Sequence, residues 1–224
     1  MSTQVNTELS ATGISLAEQA YRVLRDRLVM LDIKPGEPIN EDKLSSELDC
    51  GRTPIREALK RLASDRLVAA FPRRGTFATD VNIADLAHIS EVRRALEPLA
   101  ASAAAERATT ADRATLAELR DRLDAARGTQ GAEDNDALLR MDLDVHRSIY
   151  HCVYNPFLED TLVGYDNLAT RIWCVFAPRL SGMAGHVGEH GPLLAAIVDG
   201  DAEKAAELAL DHVTGFERAI RALI

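Results

Sequence analysis

No run of ~18 apolar residues occurs in this chain, so no segment reads as a membrane-spanning helix. Cysteine is scarce: Cys50, Cys152 and Cys174 lie far apart, are odd in number and form no CxxC pair. They supply neither a disulfide framework nor a cysteine zinc site, and they point to a reducing, cytoplasmic setting. Met1–Ser10 lacks the basic start and apolar centre of a secretory signal. Internal repeats and low-complexity segments are also missing. An excess of basic charge is absent as well, since the net charge is −9, which excludes a protein coated in basic surface. What remains is a 224-residue chain with 46% apolar and 27% charged residues, the balance of a globular protein. That much apolar surface can offset the ordering entropy of the chain.

The net charge hides an asymmetry. Residues 1–80 carry 12 Lys+Arg and 12 Asp+Glu, whereas residues 81–224 carry 14 and 23. Arg52–Arg74 holds seven basic and two acidic residues, a basic patch on an acidic protein and a candidate polyanion site.

Residues 1–13 have no apolar period and read as a tail. From Ile14 the pattern is helical: Leu16, Ala20, Val23, Leu24, Leu28 and Leu31 recur at three- and four-residue steps. Ser15 with Glu18 forms a capping box, and Lys34-Pro35-Gly36 stops the helix. A short helix is expected at Glu41–Leu48 with Asn40 as its N-cap. A third is expected from Thr53, with Thr53 as N-cap and Pro54 in the first helical position. Val68–Phe71 and Thr76–Thr79 are strand candidates around a basic hairpin tip, Pro72-Arg73-Arg74-Gly75. Helix, helix, turn, helix, hairpin is the order of a winged helix-turn-helix, spanning residues 14–80.

Residues 81–224 show only helical patterns, at 83–107, 110–127, 133–153, 156–178, 186–199 and 201–222. Gly128–Gly131 and Ser181–Gly191 read as loops, and Asp199-Gly200-Asp201 as a tight turn. The fold class is mainly α: an N-terminal winged helix-turn-helix and a C-terminal all-α six-helix bundle.

The third helix suits a DNA reader. Ile55, Ala58, Leu59 and Leu62 give it an apolar docking face, and Arg56 and Lys60 lie one turn apart on another. Arg56 suits base edges through its planar fork, Lys60 suits phosphate, and Arg52 and Thr53 flank the positive helix end. Arg73, Arg74 and Gly75 at the hairpin tip suit the minor groove, where glycine permits close approach. A surface helix with ordinary charges is the plain alternative.

Gly51-Arg52-Thr53-Pro54-Ile55-Arg56-Glu57-Ala58-Leu59 resembles the signature of GntR-type winged-helix transcription regulators. Lys34-Pro35-Gly36 before it and Phe71-Pro72-Arg73-Arg74-Gly75 after it agree, so the resemblance covers about residues 15–80. It implies that Arg52, Thr53, Arg56 and Gly75 touch operator DNA. Gly51 departs from the serine common there, and Asp42 stands where another member has an arginine.

The second part carries a constellation of metal-ligand residues. Asp142 and His146 are four apart on one expected helix and share a face. His190 and His212 fall on either side of the Asp199–Asp201 turn, at similar distances from it, so antiparallel helices bring them to one height. One Asp and three His suit zinc, nickel or manganese. Asp144 is a rival to Asp142, and His186 to His190. His88 and His151 read as structural or exposed. Pro192, directly after His190-Gly191, predicts a late helix start there.

Residues 83–222 resemble the FCD effector domain of the FadR branch of the same family. Glu91-Val92-Arg93-Arg94-Ala95-Leu96-Glu97-Pro98 is similar to its opening helix, and Asp142-Leu143-Asp144-Val145-His146, Glu189-His190 and Asp211-His212 to its ligand motifs. The resemblance implies that Asp142, His146, His190 and His212 hold one divalent metal, zinc first. It also implies that a small carboxylate effector binds beside the metal and that Arg93 faces the cavity. Arg171, Asn155 and Trp173 are further candidates to line it, Arg171 through a bidentate carboxylate contact.

The expected function is therefore a metabolite-responsive DNA-binding regulator, a repressor acting as a homodimer on a pseudo-palindromic operator. The alternatives are a metal sensor and, with less support, a metal-dependent hydrolase, for which no clear general base stands beside the metal set.

Overall fold

The computed structural model describes residues 13–127, 135–180 and 182–224, so the tail expected over 1–13, beyond Gly13, and the Gly128–Gly131 loop lie outside it. The chain divides into two compact units, Met1–Val81 and Asn82–Ile224.

The first unit runs α1 (Leu16–Val29), α2 (Glu41–Glu47), α3 (Arg52–Ser64), β1 (Val68–Phe71) and β2 (Gly75–Ala78). Ser15 caps α1 by accepting from the Glu18 amide, but the Glu18 carboxylate turns to Arg22 and Arg61 instead of closing a capping box. The helix ends five residues before Lys34, because Leu31 adopts a φ of +60° and reverses the chain. Lys34-Pro35-Gly36 does something else: the segment that follows lies along β2, with Ile39 donating to the Thr76 carbonyl and Ala78 to the Glu37 carbonyl. Asn40 caps α2 as its sequence predicts, accepting from the Lys43 amide.

For α3 the expected start shifts. Gly51 is the N-cap, with no side-chain cap bond, and Thr53 and Pro54 sit inside the first turn. Pro54 is tolerated there because the first helical amides have no carbonyl partner in any case. Ile55, Ala58, Leu59 and Leu62 are buried, and α3 packs on α1, whose Ala20, Leu24 and Leu28 are buried in turn. Each such leucine contributes roughly 1.5–3 kcal/mol by leaving water. Across this joint Tyr21 donates to Asp65 at 2.8 Å and Arg61 lies 3.8 Å over the Tyr21 ring. The strands pair antiparallel, Val68 with Ala78 through Phe71 with Gly75, and the tip turns through Arg73 (φ +62°) and Gly75 (φ +95°).

The second unit contains α4 (Asp85–Arg107), α5 (Thr110–Arg127), α6 (Asn135–His151), α7 (Pro156–Phe176), a 3-10 turn at Ala177–Arg179, α8 (Met183–Gly188), α9 (His190–Asp199) and α10 (Ala202–Arg221). The expected six helices are present, with α8 added inside the expected Ser181–Gly191 loop. Met183 and Val187, four apart, are buried, and this pair holds a glycine-rich segment in helical form. The broadest helix contact joins α4 to α10, where Ala100, Ala101, Ala104, Ala205 and Ala209 are buried. Small side chains let the two backbones approach closely. Gly200 (φ +80°) ends α9 and Asp201 caps α10, making the expected tight turn. Arg113 ties this corner together, donating to the carbonyls of Ala105, Ile197 and Val198.

Candidate functional site

On α3 the residues expected to read DNA are exposed. Arg52, Thr53, Arg56 and Lys60 stand clear of the buried face, as do Arg73, Arg74 and Gly75 at the hairpin tip. Two of the arginines are held by the start of α2: Arg56 Nε donates to Glu41 Oε2 at 2.7 Å and Arg52 Nε lies 2.7 Å from Asp42 Oδ1. Arg74 lies 5.9 Å from the centre of the exposed Phe71 ring.

In the helical unit, α6, α9 and α10 bring Asp142, His146, His190 and His212 together, with one ligand atom of each within 4.8 Å of the others. The three imidazoles are buried. Their ring centres lie 4.8 Å (His146–His190), 5.3 Å (His146–His212) and 4.2 Å (His190–His212) apart. Pro192 falls in the first turn of α9, so the helix starts at His190 and His190 Nε2 reaches Asp142 Oδ1 at 2.8 Å. Asp144, the rival carboxylate, is exposed on the other side of α6. His186, the rival to His190, forms a separate group with Glu189 and His212. His88 is exposed, and His151 is exposed beside Glu159.

The donor set fits a divalent ion. Burial, followed by the neighbouring histidines, holds His212 well below its usual range. Burial likewise holds His190 down against the pull of Asp142. Both are thus in the neutral, ligating form. Burial opposes the Asp142 charge, yet the His190 hydrogen bond and His146 hold its carboxyl well below the usual range. His190 Nδ1 is buried with no hydrogen-bond partner among the described residues. Glu189 Oε2 faces His212 Nδ1 at 3.0 Å and Tyr150 Oη faces His146 Nδ1 at 3.0 Å. The Glu189 contact leaves Nε2 of His212 as its remaining nitrogen, and a carboxylate behind a ligating imidazole fixes its tautomer and raises its basicity.

Arg93 is buried beside this set. Its Nε donates to Glu97 Oε1 at 2.6 Å, and its Nη2 lies 3.3 Å from Asp166 Oδ1 and 3.4 Å from His146 Nε2. Burial alone would lower the His146 pKa, but Asp166, Glu97 and Asp142 outweigh it and hold it at about 9. Burial raises the Glu97 carboxyl, but Arg93 and His146 bring it down to about 2. Asp166 stays above its usual range, because burial exceeds the pull of His146 and Arg93.

The other expected lining residues divide. Trp173 is buried and stacks on His186 at 4.5 Å, which stacks on His212 at 4.1 Å. Its Nε1 has no hydrogen-bond partner among the described residues. Arg171 is buried on α7. Asn155 is not brought to the site: its Oδ1 caps α7 by accepting from the Phe157 and Leu158 amides. Arg94 pairs with Glu217 on α10.

Sequence reasoning missed Glu97 and Asp166 as partners of Arg93 and His146. The four-residue step from Arg93 to Glu97 was a usable signal, and so was a lone acid at Asp166 on the largely apolar Leu162–Trp173 stretch.

Comparison with known proteins matches this division. Residues 16–78 match the profile of bacterial regulatory proteins of the gntR family, and residues 88–215 match the FCD domain. The chain is 26% identical over 220 residues to the HTH-type transcriptional repressor RspR of Escherichia coli K12, covering 97% of this chain and 95% of that protein. It is 27% identical over 199 residues to the HTH-type transcriptional regulator McbR of the same organism, covering 85% and 86% of the two chains. The solved structure of E. coli McbR/YncC shares the fold, with a TM-score of 0.80 at 24% identity over 94% of this chain and 99% of that one. A GntR transcriptional regulator from Rhodococcus sp. RHA1 shares it too, with a TM-score of 0.70 at 22% identity over 93% and 98% of the two chains. Among the described residues no helix is long and apolar enough to cross a membrane. The chain therefore belongs to the GntR family of bacterial regulatory proteins: it is a helix-turn-helix, DNA-binding transcription regulator whose second unit is an FCD domain.

Proposed function

We propose that this regulator responds to a small organic acid, which binds the helical unit beside a divalent metal ion, zinc before nickel or manganese. The observation that carries the reading is the buried convergence of Asp142, His146, His190 and His212 on one point. A divalent ion held there would supply a fixed positive charge on which a carboxylate can rest. The chain's own groups supply the rest. Arg93, 3.4 Å from His146, adds a second cation, and Trp173, stacked on the His186 ring that covers His212, adds a buried Nε1 donor with no partner among the described residues. Both favour an anion with hydrogen-bond acceptors.

At the other end, Arg52, Thr53, Arg56 and Lys60 engage the major groove and its phosphates, and Arg73, Arg74 and Gly75 the minor groove. Two such heads in a homodimer read a pseudo-palindrome. The effector changes operator affinity only by binding one arrangement of the dimer more tightly than the other. Repression is the proposed mode, as the name of RspR states for that relative. The relatives are regulators, and no catalytic role is proposed.

Elemental analysis of tag-free protein, beside an Asp142→Ala/His212→Ala double variant, tests the metal. About one divalent ion per chain, lost in the variant, supports the reading, and no metal in either sinks it. One observation favours a second reading, in which the ion itself is the signal: Arg93 already has two carboxylate partners, Glu97 and Asp166. Operator release by acids that survives Arg93→Ala unchanged, with DNA binding still under metal control, would select the sensor.

A further inference from the structure

Resting on the effector site just proposed, we infer that the acid it binds carries a protonated amine, so that the effector is of the amino-acid class. A plain mono- or dicarboxylic acid fits less well. Two independent features of the site lead there.

The first is an acceptor without a donor. Asp166, on α7, is buried to within 1% of its surface. Its Oδ1 lies 3.3 Å from Arg93 Nη2, while its Oδ2 has no hydrogen-bond partner among the described residues. A buried carboxylate oxygen is costly unless a donor reaches it. Asp166 shares a donor group with Glu97 and His146, whose atoms lie within 4.8 Å of one another, and His146 belongs equally to the proposed metal set. The Asp166 carboxylate thus stands one imidazole away from the proposed ion, the scale of one small molecule.

The second feature is the charge balance. Asp142, Glu97 and Asp166 belong to the two donor groups that share His146, and the one guanidinium paired with any of them is Arg93, which Glu97 and Asp166 share. For these four groups, a divalent ion with neutral histidines brings the cations level with the anions. A plain carboxylate would then add an uncompensated negative charge in a buried site, and a dicarboxylate would add two. An amino acid adds none. Its carboxylate suits the ion and Arg93, and its ammonium, with donors only, suits Asp166 Oδ2. The charged groups acting most strongly on Asp166 are His146, Arg93, Glu97 and Asp142.

The test uses the full-length protein, stripped with chelator and reloaded with zinc, in titration calorimetry. The ligands share a skeleton: butyrate, its α-hydroxy and α-amino forms, and succinate, with a hexanoate-based set alongside. The α-amino acid is expected to bind ~10-fold or more tightly than its unsubstituted, hydroxylated and dicarboxylic counterparts, the scale of one charge-assisted hydrogen bond. In Asp166→Asn the amide oxygen turns to Arg93 and its NH2 faces the ligand, so the preference for the amine is lost or reversed. Zinc content and a thermal melt check that this variant keeps its fold and metal. Acids that bind without preference for the amine, or a preference that survives Asp166→Asn, overturn the inference and leave the effector site standing. If no acid of either set binds, the effector site falls and the inference with it. The comparison within the parent protein decides the matter even if Asp166→Asn does not fold.

Discussion

Metal binding should release one proton per site at neutral pH, and the structure says which one. Of the three imidazoles, His190 and His212 are held neutral by burial and by the imidazoles around them, and Asp142 is held ionised, so none of these has a proton to give up. His146 is the exception: Asp166, Glu97 and Asp142 overcome its burial and hold its pKa at about 9. An ion that takes a nitrogen of His146 must displace that proton. Between pH 7 and 9 the apparent affinity should therefore rise about tenfold per pH unit, about 100-fold in all, and flatten above. Three histidines of ordinary pKa would give another pattern, flat above pH 7 and steep below about pH 6.5. The assay is competition with a chromophoric chelator for nickel, which stays soluble at the alkaline end. Calorimetry in buffers of different ionisation enthalpy counts the proton directly. Glu97→Gln supplies the internal control: removing that charge lowers the His146 pKa, so the slope shrinks and the affinity at pH 7 rises. Flat affinity from pH 7 to 9 with no proton release would refute the assignment of a cationic His146 to the metal-free protein.

Three other outcomes follow from the same contacts. Metal-free protein should be most stable near pH 6.5. Stability falls as pH rises from 6.5 through about 9, where folded His146 loses its raised proton affinity. It also falls below 6.5, where His190 and His212 charge more readily unfolded than folded, and further from 4.5 towards about 2 as the depressed Glu97 titrates. Thermal melts across pH test this, and saturating metal should abolish the alkaline arm. Glu189→Ala, which strips the partner 3.0 Å from His212 Nδ1, should weaken metal binding roughly 10- to 100-fold in the chelator assay, and an unchanged affinity would show that Glu189 does not orient the ring. Arg56→Ala should weaken operator binding roughly tenfold or more and relax base preference, whereas Lys60→Ala should weaken all sequences alike and lower the salt slope; equal losses on operator and random DNA would remove base reading from Arg56.

The sequence by itself determined whatever depends on neighbours along the chain. Asn40 and Asp201 cap their helices because a side-chain oxygen reaches an amide three residues on. The hairpin follows from two short apolar runs around Pro72–Gly75. The apolar period placed Ile55, Ala58, Leu59 and Leu62 inside and Arg56 and Lys60 outside. The four-residue step put Asp142 and His146 on one face, and one short turn brought His190 and His212 level with each other. Where a local rule met a competing local force it failed by a few residues, as when the left-handed Leu31 ended α1 ahead of Pro35.

Only the tertiary structure decided what surrounds those residues. Asp166 lies 73 positions after Arg93 and 20 after His146, and no periodicity ties an acid on α7 to a base on α4. Nor does the sequence say that Asn155 is spent on a cap, that Glu189 stands behind His212, or that His186 stacks between His212 and Trp173. Helix periodicity fixes which face of a segment is buried, but the partner a buried charge meets depends on the rotation and height of the helix packed against it. Those are set by apolar packing over the whole interface, to which a polar residue contributes little.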